Sequence, residues 1–155
     1  MYYDRTGNEL KKFNTSDSAG VLFLRALNIP VGIITGEKTE IVKARAEKLR
    51  IDELHQGVGN KVALATKLSE KFQVSFDEMA YIGDDLNDMS LLQMVGTSGC
   101  PSNSPGYVQK LVQIVTTKSG GEGAFREFVE TMLINAGRFD EALAKVATLV
   151  APKQQ

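Results

Sequence analysis

Tyr81-Ile82-Gly83-Asp84-Asp85-Leu86-Asn87-Asp88 decides how the rest of this chain is read. The apolar run from Met79 to Ile82 predicts a short buried strand, and Gly83 breaks it. Three carboxylates and an amide follow, and then Leu91, Leu92 and Val95 begin an apolar helical stripe. The carboxylates therefore stand where a strand ends and a helix begins, the rim at which open α/β sheets bind ligands. Asp84 and Asp88 are four apart and can share a face once the helix starts. Clustered carboxylates repel one another. Either a hard cation such as Mg²⁺ relieves them through oxygen ligands, or the stretch is a solvated turn that caps the helix. A calcium loop of EF-hand type fits poorly, because its glycine and terminal glutamate are lacking.

Working outward, strands and helices alternate. Met1-Tyr2-Tyr3 and Glu9 to Phe13 flank the turn Asp4-Arg5-Thr6-Gly7-Asn8 and predict a hairpin. Asn14-Thr15-Ser16-Asp17 starts a buried helix. The β-branched run Pro30 to Ile34 ends at Thr35-Gly36-Glu37 and feeds a helix from Thr39 to Leu49. A short strand around Leu54-His55-Gln56 leads into a helix from Lys61 to Phe72. After the acidic turn come strands at Gly96 to Gly99 and Val112 to Thr116, separated by a short helix. The glycine-rich loop Ser119 to Gly123 opens a helix from Ala124 to Leu133, and Phe139 to Val150 is a final amphipathic helix. This alternation implies a doubly wound, Rossmann-like parallel sheet covered on both faces. Residues 1–155 are read as one α/β domain with an N-terminal β-hairpin and an extra C-terminal helical stretch at 136–155.

Composition excludes several function classes. Hydrophobic residues make up 43% and charged residues 24% of the 155, which is globular. Lys plus Arg number 18 against 19 Asp plus Glu, a net charge of -1 that gives no electrostatic reason to expect nucleic acid or an anionic membrane. Cys100 is the single cysteine, so no internal disulfide framework exists. With no membrane-length apolar run and no signal-peptide pattern, the expected location is the cytoplasm.

Two further strand ends carry polar groups suited to phosphate. Thr35 offers a hydroxyl before a helix N-terminus, although by itself it reads better as a helix cap. Lys61 lies in the first turn of its helix, where the helix dipole disfavours a cation unless an anion sits opposite it. A hydroxyl, a lysine and a carboxylate cluster at neighbouring strand ends are the parts that hold a phosphoryl group and its Mg²⁺.

Ile33-Ile34-Thr35-Gly36, Gln56-Gly57 with Lys61, and Gly83-Asp84-Asp85-Leu86-Asn87-Asp88 resemble the second, third and fourth motifs of haloacid dehalogenase-type phosphatases. The likeness is nearest to the capless sugar-acid branch. That branch includes the phosphatases of 3-deoxy-D-manno-octulosonate 8-phosphate and 2-keto-3-deoxynonulosonate 9-phosphate. The hairpin, Lys12 to Asp17, and Gly120-Gly121-Glu122-Gly123-Ala124-Phe125-Arg126-Glu127 also match it. The resemblance implies that Thr35 binds the phosphoryl group, that Lys61 neutralises charge, and that Asp84 ligates Mg²⁺ with Asp85 and Asp88 in support. It further implies that Gly36, Glu37, Arg45 and Arg126 contact the sugar acid, and that the chain forms a homotetramer around its hairpins. Thr35 to Val42 looks most like the nonulosonate enzymes.

The family's first motif, Asp-x-Asp-Gly, supplies a nucleophile and a general acid/base. It is not present in residues 1–155, where Asp4 and Asp17 fall in a turn and at a helix start. The expectation is a truncated phosphatase, inactive as it stands, with a non-catalytic oligomerisation domain as the alternative. A phosphoacceptor receiver domain uses similar residues, but there the acidic pair precedes the threonine and lysine.

Overall fold

The computed structural model describes residues 2–6 and 9–150. Met1, Gly7, Asn8 and residues 151–155, which belong to the expected hairpin turn and C-terminal stretch, lie outside the described residues. The chain opens with the antiparallel hairpin β1 (Tyr2–Tyr3) and β2 (Glu9–Leu10). Helix α1 (Asp17–Ala26) follows, then β3 (Gly32–Ile34), α2 (Glu40–Leu49), β4 (Glu53–His55) and α3 (Lys61–Phe72). The acidic stretch lies between β5 (Ala80–Ile82) and α4 (Met89–Leu92). Strand β6 (Thr97–Cys100), α5 (Gly106–Gln109), β7 (Ile114–Val115), α6 (Ala124–Asn135) and α7 (Phe139–Val150) complete the order.

Local chemistry sets these boundaries. The Thr39 hydroxyl accepts the Val42 N–H at 3.4 Å, and the Asn60 side-chain Oδ1 accepts that of Ala63 at 2.9 Å, each satisfying a free donor at a helix start. Helices α2 and α3 end on Arg50 and Gln73, both at φ 54° in the left-handed region, which halts the helical ladder.

The parallel strands form two sheets, not the single sheet the alternation suggests. Strand β3 pairs with β4, and β5, β6 and β7 pair in that order, all in parallel. Residues alternate between the two faces. Val31, Ile33 and Ile82 meet α1, α2, α6 and α7 on one side. Ile34 and Tyr81 meet α3 and α4 on the other. The sheets are therefore doubly wound, and among the described residues no separate cap domain interrupts them. The largest cluster joins Phe23, Leu24 and Leu27 of α1 to Phe128, Val129 and Leu133 of α6 and Ala142 of α7. Phe139 meets Phe23 edge-on at 5.5 Å, which docks the C-terminal helix.

Packing is close where β6 meets α6. A Cβ on Gly99 would stand 2.4 Å from the Phe128 ring, so the sheet and helix approach closely only because residue 99 has no side chain. Overpacking of this kind costs roughly 1–3 kcal/mol. Gly99→Ala is expected to lose that much in urea unfolding, and Phe128→Leu in the same chain to recover part of it through local coupling.

Candidate active site

Thr35, Lys61 and the acidic stretch all lie at the C-terminal ends of strands, on one rim. The loop after β3 is built around Thr35, whose hydroxyl accepts the Glu37 N–H at 3.2 Å and whose carbonyl accepts the Val58 N–H at 3.0 Å. This ties the loop after β3 to the loop after β4, immediately before Lys61.

Lys61 is 9% exposed and Asp88 1% exposed, and they form the polar centre of the rim. The Lys61 Nζ donates to Asp88 Oδ1 at 2.5 Å, and the Tyr81 hydroxyl donates to the same oxygen at 2.5 Å. The lysine also reaches the Tyr81 hydroxyl at 3.3 Å. The anion that the helix dipole requires opposite Lys61 is therefore Asp88. Asp88 Oδ2 accepts the backbone N–H groups of Asp84 at 3.0 Å and Asp85 at 3.2 Å. A spacing of four suggests that Asp84 and Asp88 share a helical face. Instead, Leu86–Asp88 is a 3₁₀ turn that curls Asp88 back beneath the loop, and Asp85 Oδ1 caps it by accepting the Leu86 N–H at 2.7 Å. Gly83 makes room: a Cβ there would sit 2.6 Å from the Asp88 side chain.

Burial pushes the Asp88 carboxyl up, but the Lys61 ammonium, the Tyr81 hydroxyl and the Asp84 N–H outweigh it and hold it below the ordinary carboxylate range. Burial and the bond to Asp88 push the Tyr81 hydroxyl well above its ordinary value. Asp84 behaves oppositely to Asp88. The residue is exposed on the rim, but its carboxyl is partly shielded from water. That shielding, with the charges of Asp88 and Asp85, raises its pKa.

The same arrangement tests the rim as a Mg²⁺ site. Among the described residues, no three His, Cys, Asp or Glu side chains gather as a metal cage. Both Asp88 oxygens are occupied, and Asp85 is engaged as a cap. The Asp84 carboxylate meets no side-chain donor among the described contacts, and shielding from water with the charges of Asp88 and Asp85 raises its pKa. One free carboxylate fits Mg²⁺, which takes one or two carboxylates and completes its shell with water and phosphate oxygens.

The other expected contacts are not brought to this centre. Glu37 pairs with Lys11 of the hairpin. Arg45 donates to the Asn14 carbonyl at 2.8 Å and lies 5.6 Å from the centre of the Phe13 ring. The Arg126 Nε donates to Glu130 at 2.7 Å within α6, while its backbone N–H reaches Asp17 at 3.1 Å. Gly36 is exposed on the rim beside Thr35. The sequence reading missed Tyr81 as a functional residue. The available signal was a tyrosine in a buried strand, whose hydroxyl needs a partner.

A family of haloacid dehalogenase-like hydrolases matches residues 25–127. The 3-deoxy-D-manno-octulosonate 8-phosphate phosphatase of Salmonella typhi is 37% identical over 142 residues, covering 92% of this chain and 76% of the relative. Among solved structures, a probable YrbI-family phosphatase from Pseudomonas syringae pv. phaseolica 1448a superposes with a TM-score of 0.86 at 37% identity, covering 92% of this chain and 81% of the other. The octulosonate 8-phosphate phosphatase of Moraxella catarrhalis, in complex with magnesium, phosphate and KDO, gives 0.85 at 33% identity, covering 92% and 82%.

The Lys61–Asp88 pair generates a stability prediction. Removing one partner of a buried pair costs about 3–5 kcal/mol, because the other charge is left uncompensated. Lys61→Met is expected to lose that much at pH 7. A depressed carboxyl stabilises the fold above its ordinary value of 3.8 and stops doing so as pH falls through its lower folded value. Denaturant midpoints measured from pH 7 to pH 2 should show this acid loss in the native chain and a reduced one in Asp88→Asn. Taken together, the rim geometry and the sequence matches establish that the chain belongs to the haloacid dehalogenase-like hydrolases.

Proposed function

We propose that this rim serves a phosphatase of 3-deoxy-2-keto sugar acids, with octulosonate 8-phosphate as first substrate and nonulosonate 9-phosphate as second. The observation that carries the reading is Lys61, a buried ammonium in the first turn of α3, set beside the free Asp84 carboxylate. The names of the Salmonella typhi and Moraxella catarrhalis relatives support the octulosonate substrate. Thr35 donates its hydroxyl to a phosphoryl oxygen, and Lys61 turns part of its ammonium from Asp88 toward the same group. Asp84 holds Mg²⁺, with Asp85 and Asp88 fixing the loop behind it. Bound Mg²⁺ neutralises phosphoryl charge. Gly36, Glu37, Arg45 and Arg126 reach the sugar acid only after exchanging their present partners. Assembly as a homotetramer in the cytoplasm belongs to this reading.

Turnover in this reading passes through an aspartyl phosphate. Asp4 follows a strand of the antiparallel hairpin and Asp17 opens α1, so neither stands at the end of a parallel strand, where this reading needs the nucleophile. Residues 1–155 are therefore expected to bind the substrate and release no phosphate. Each charge-assisted hydrogen bond contributes about 1.5–3 kcal/mol, so Thr35→Ala and Lys61→Met should weaken Mg²⁺-dependent binding of octulosonate 8-phosphate roughly 10- to 100-fold in calorimetry. Asp84→Asn should abolish the Mg²⁺ dependence. A folded chain that binds neither sugar-acid phosphate would overturn the reading in favour of a non-catalytic oligomerisation domain.

A further inference from the structure

Lys61, Tyr81 and Asp88 close a triangle. The lysine Nζ and the tyrosine hydroxyl each stand 2.5 Å from Asp88 Oδ1, and they stand 3.3 Å from one another. The chemistry of the three groups fixes the direction of every bond. An ammonium can only donate and an ionised carboxylate can only accept, whereas a tyrosine hydroxyl does both. Asp88 has no room for a proton, because its second oxygen already accepts the N–H groups of Asp84 and Asp85. The Tyr81 proton therefore points to Asp88, and the Tyr81 oxygen accepts from Lys61.

An ammonium carries three N–H groups. Among the described contacts one is spent on Asp88 and one on Tyr81, which leaves the third for a ligand. With Asp88 as its single anchor, the ammonium could turn about its Cε–Nζ bond and keep the same ion pair. A second anchor stops that rotation, and tetrahedral geometry then sets where the third N–H points. Tyr81 suits the task because its ring is wedged between two apolar clusters, with Leu91 in one and Leu92 and Cys100 in the other. Lys61, by contrast, carries its charge on a flexible stem. That charge reaches the Asp84 carboxyl, the group left without a side-chain donor.

We propose that Tyr81 is a positioning residue: it pins the Lys61 ammonium at a second point, so that one N–H is held in a fixed direction for an oxygen of an anionic ligand. That N–H is the part of the ammonium turned away from Asp88. The role rests on the phosphate reading of the rim and names the residue that orients its cation.

The test follows the lysine ammonium groups of the 155-residue chain by ¹⁵N relaxation, with and without Tyr81→Phe, which keeps the ring and removes the hydroxyl. Without ligand, the Lys61 ammonium is expected to rotate roughly 3- to 10-fold faster in the variant, the factor that one hydrogen bond supplies. Lys145, whose described partner is Glu141, should change little. With Mg²⁺ and inorganic phosphate added, the variant should bind phosphate about 3- to 10-fold more weakly. A purely structural role would lower the denaturant midpoint and leave the Lys61 rotation as it is. Unchanged rotation in the folded variant would overturn the inference, and so would faster rotation with unchanged phosphate affinity. If Tyr81→Phe does not fold, the native chain decides: Lys61 must rotate more slowly than Lys145, and equal rates overturn the inference. A native chain that binds no phosphate sinks the phosphate reading, whereas the rotation rates still decide whether Tyr81 pins Lys61.

Discussion

The carboxylate of Asp88 is the constraint on which the rim depends. One oxygen takes the Lys61 ammonium and the Tyr81 hydroxyl, and the other takes the two N–H groups that open the acidic loop. Lys61 follows the β3–β4 sheet, whereas Tyr81 and Asp88 belong to the β5–β7 sheet. A single buried anion thus ties together two sheets that share no backbone pairing among the described residues. Burying an ion is expensive unless its lone pairs are met, and here four donors meet them. That arrangement leaves Asp84 as the carboxylate with its charge unspent.

The two neighbouring aspartates illustrate how environment divides chemically identical groups. Asp88 is held ionised by its partners, whereas Asp84 is pushed toward protonation by shielding from water and by its acidic neighbours. Opposite shifts across a few residues show that environment, and not residue type, sets the charge of each carboxyl. The rim's positive side is supplied by Lys61 at the start of α3, and Thr35 anchors the loop that faces it. Glu37 and Arg45 bind the hairpin region to the body of the domain, so exchanging the partner of either residue would also change how the hairpin sits.

Much of this was legible in the chain. The bounds of α3 and α7 coincide with the expected ones, because Asn60 and Gly137 are strong local punctuation. Lys61 could be recognised by its wrong sign at a helix N-terminus, a contradiction that only a nearby anion resolves. The identity of that anion could not. Reading Asp84 and Asp88 as one helical face presumes 3.6 residues per turn, and the 3₁₀ turn over Leu86–Asp88 breaks the presumption. The order in which the strands pair was equally hidden, since strand pairing joins segments far apart in sequence. Periodicity reports only which residues are apolar. Tyr81 gave a weak signal, and its role follows from where Asp88 folds back.

The claim that Lys61 and Asp84 form one phosphate site is tested most directly by following the Lys61 ammonium resonance in ¹⁵N NMR during titration with inorganic phosphate and Mg²⁺. The account predicts a saturable shift that requires both ions and disappears in Asp84→Asn. A resonance that stays fixed at saturating phosphate, with the Lys61–Asp88 pair intact, would contradict it.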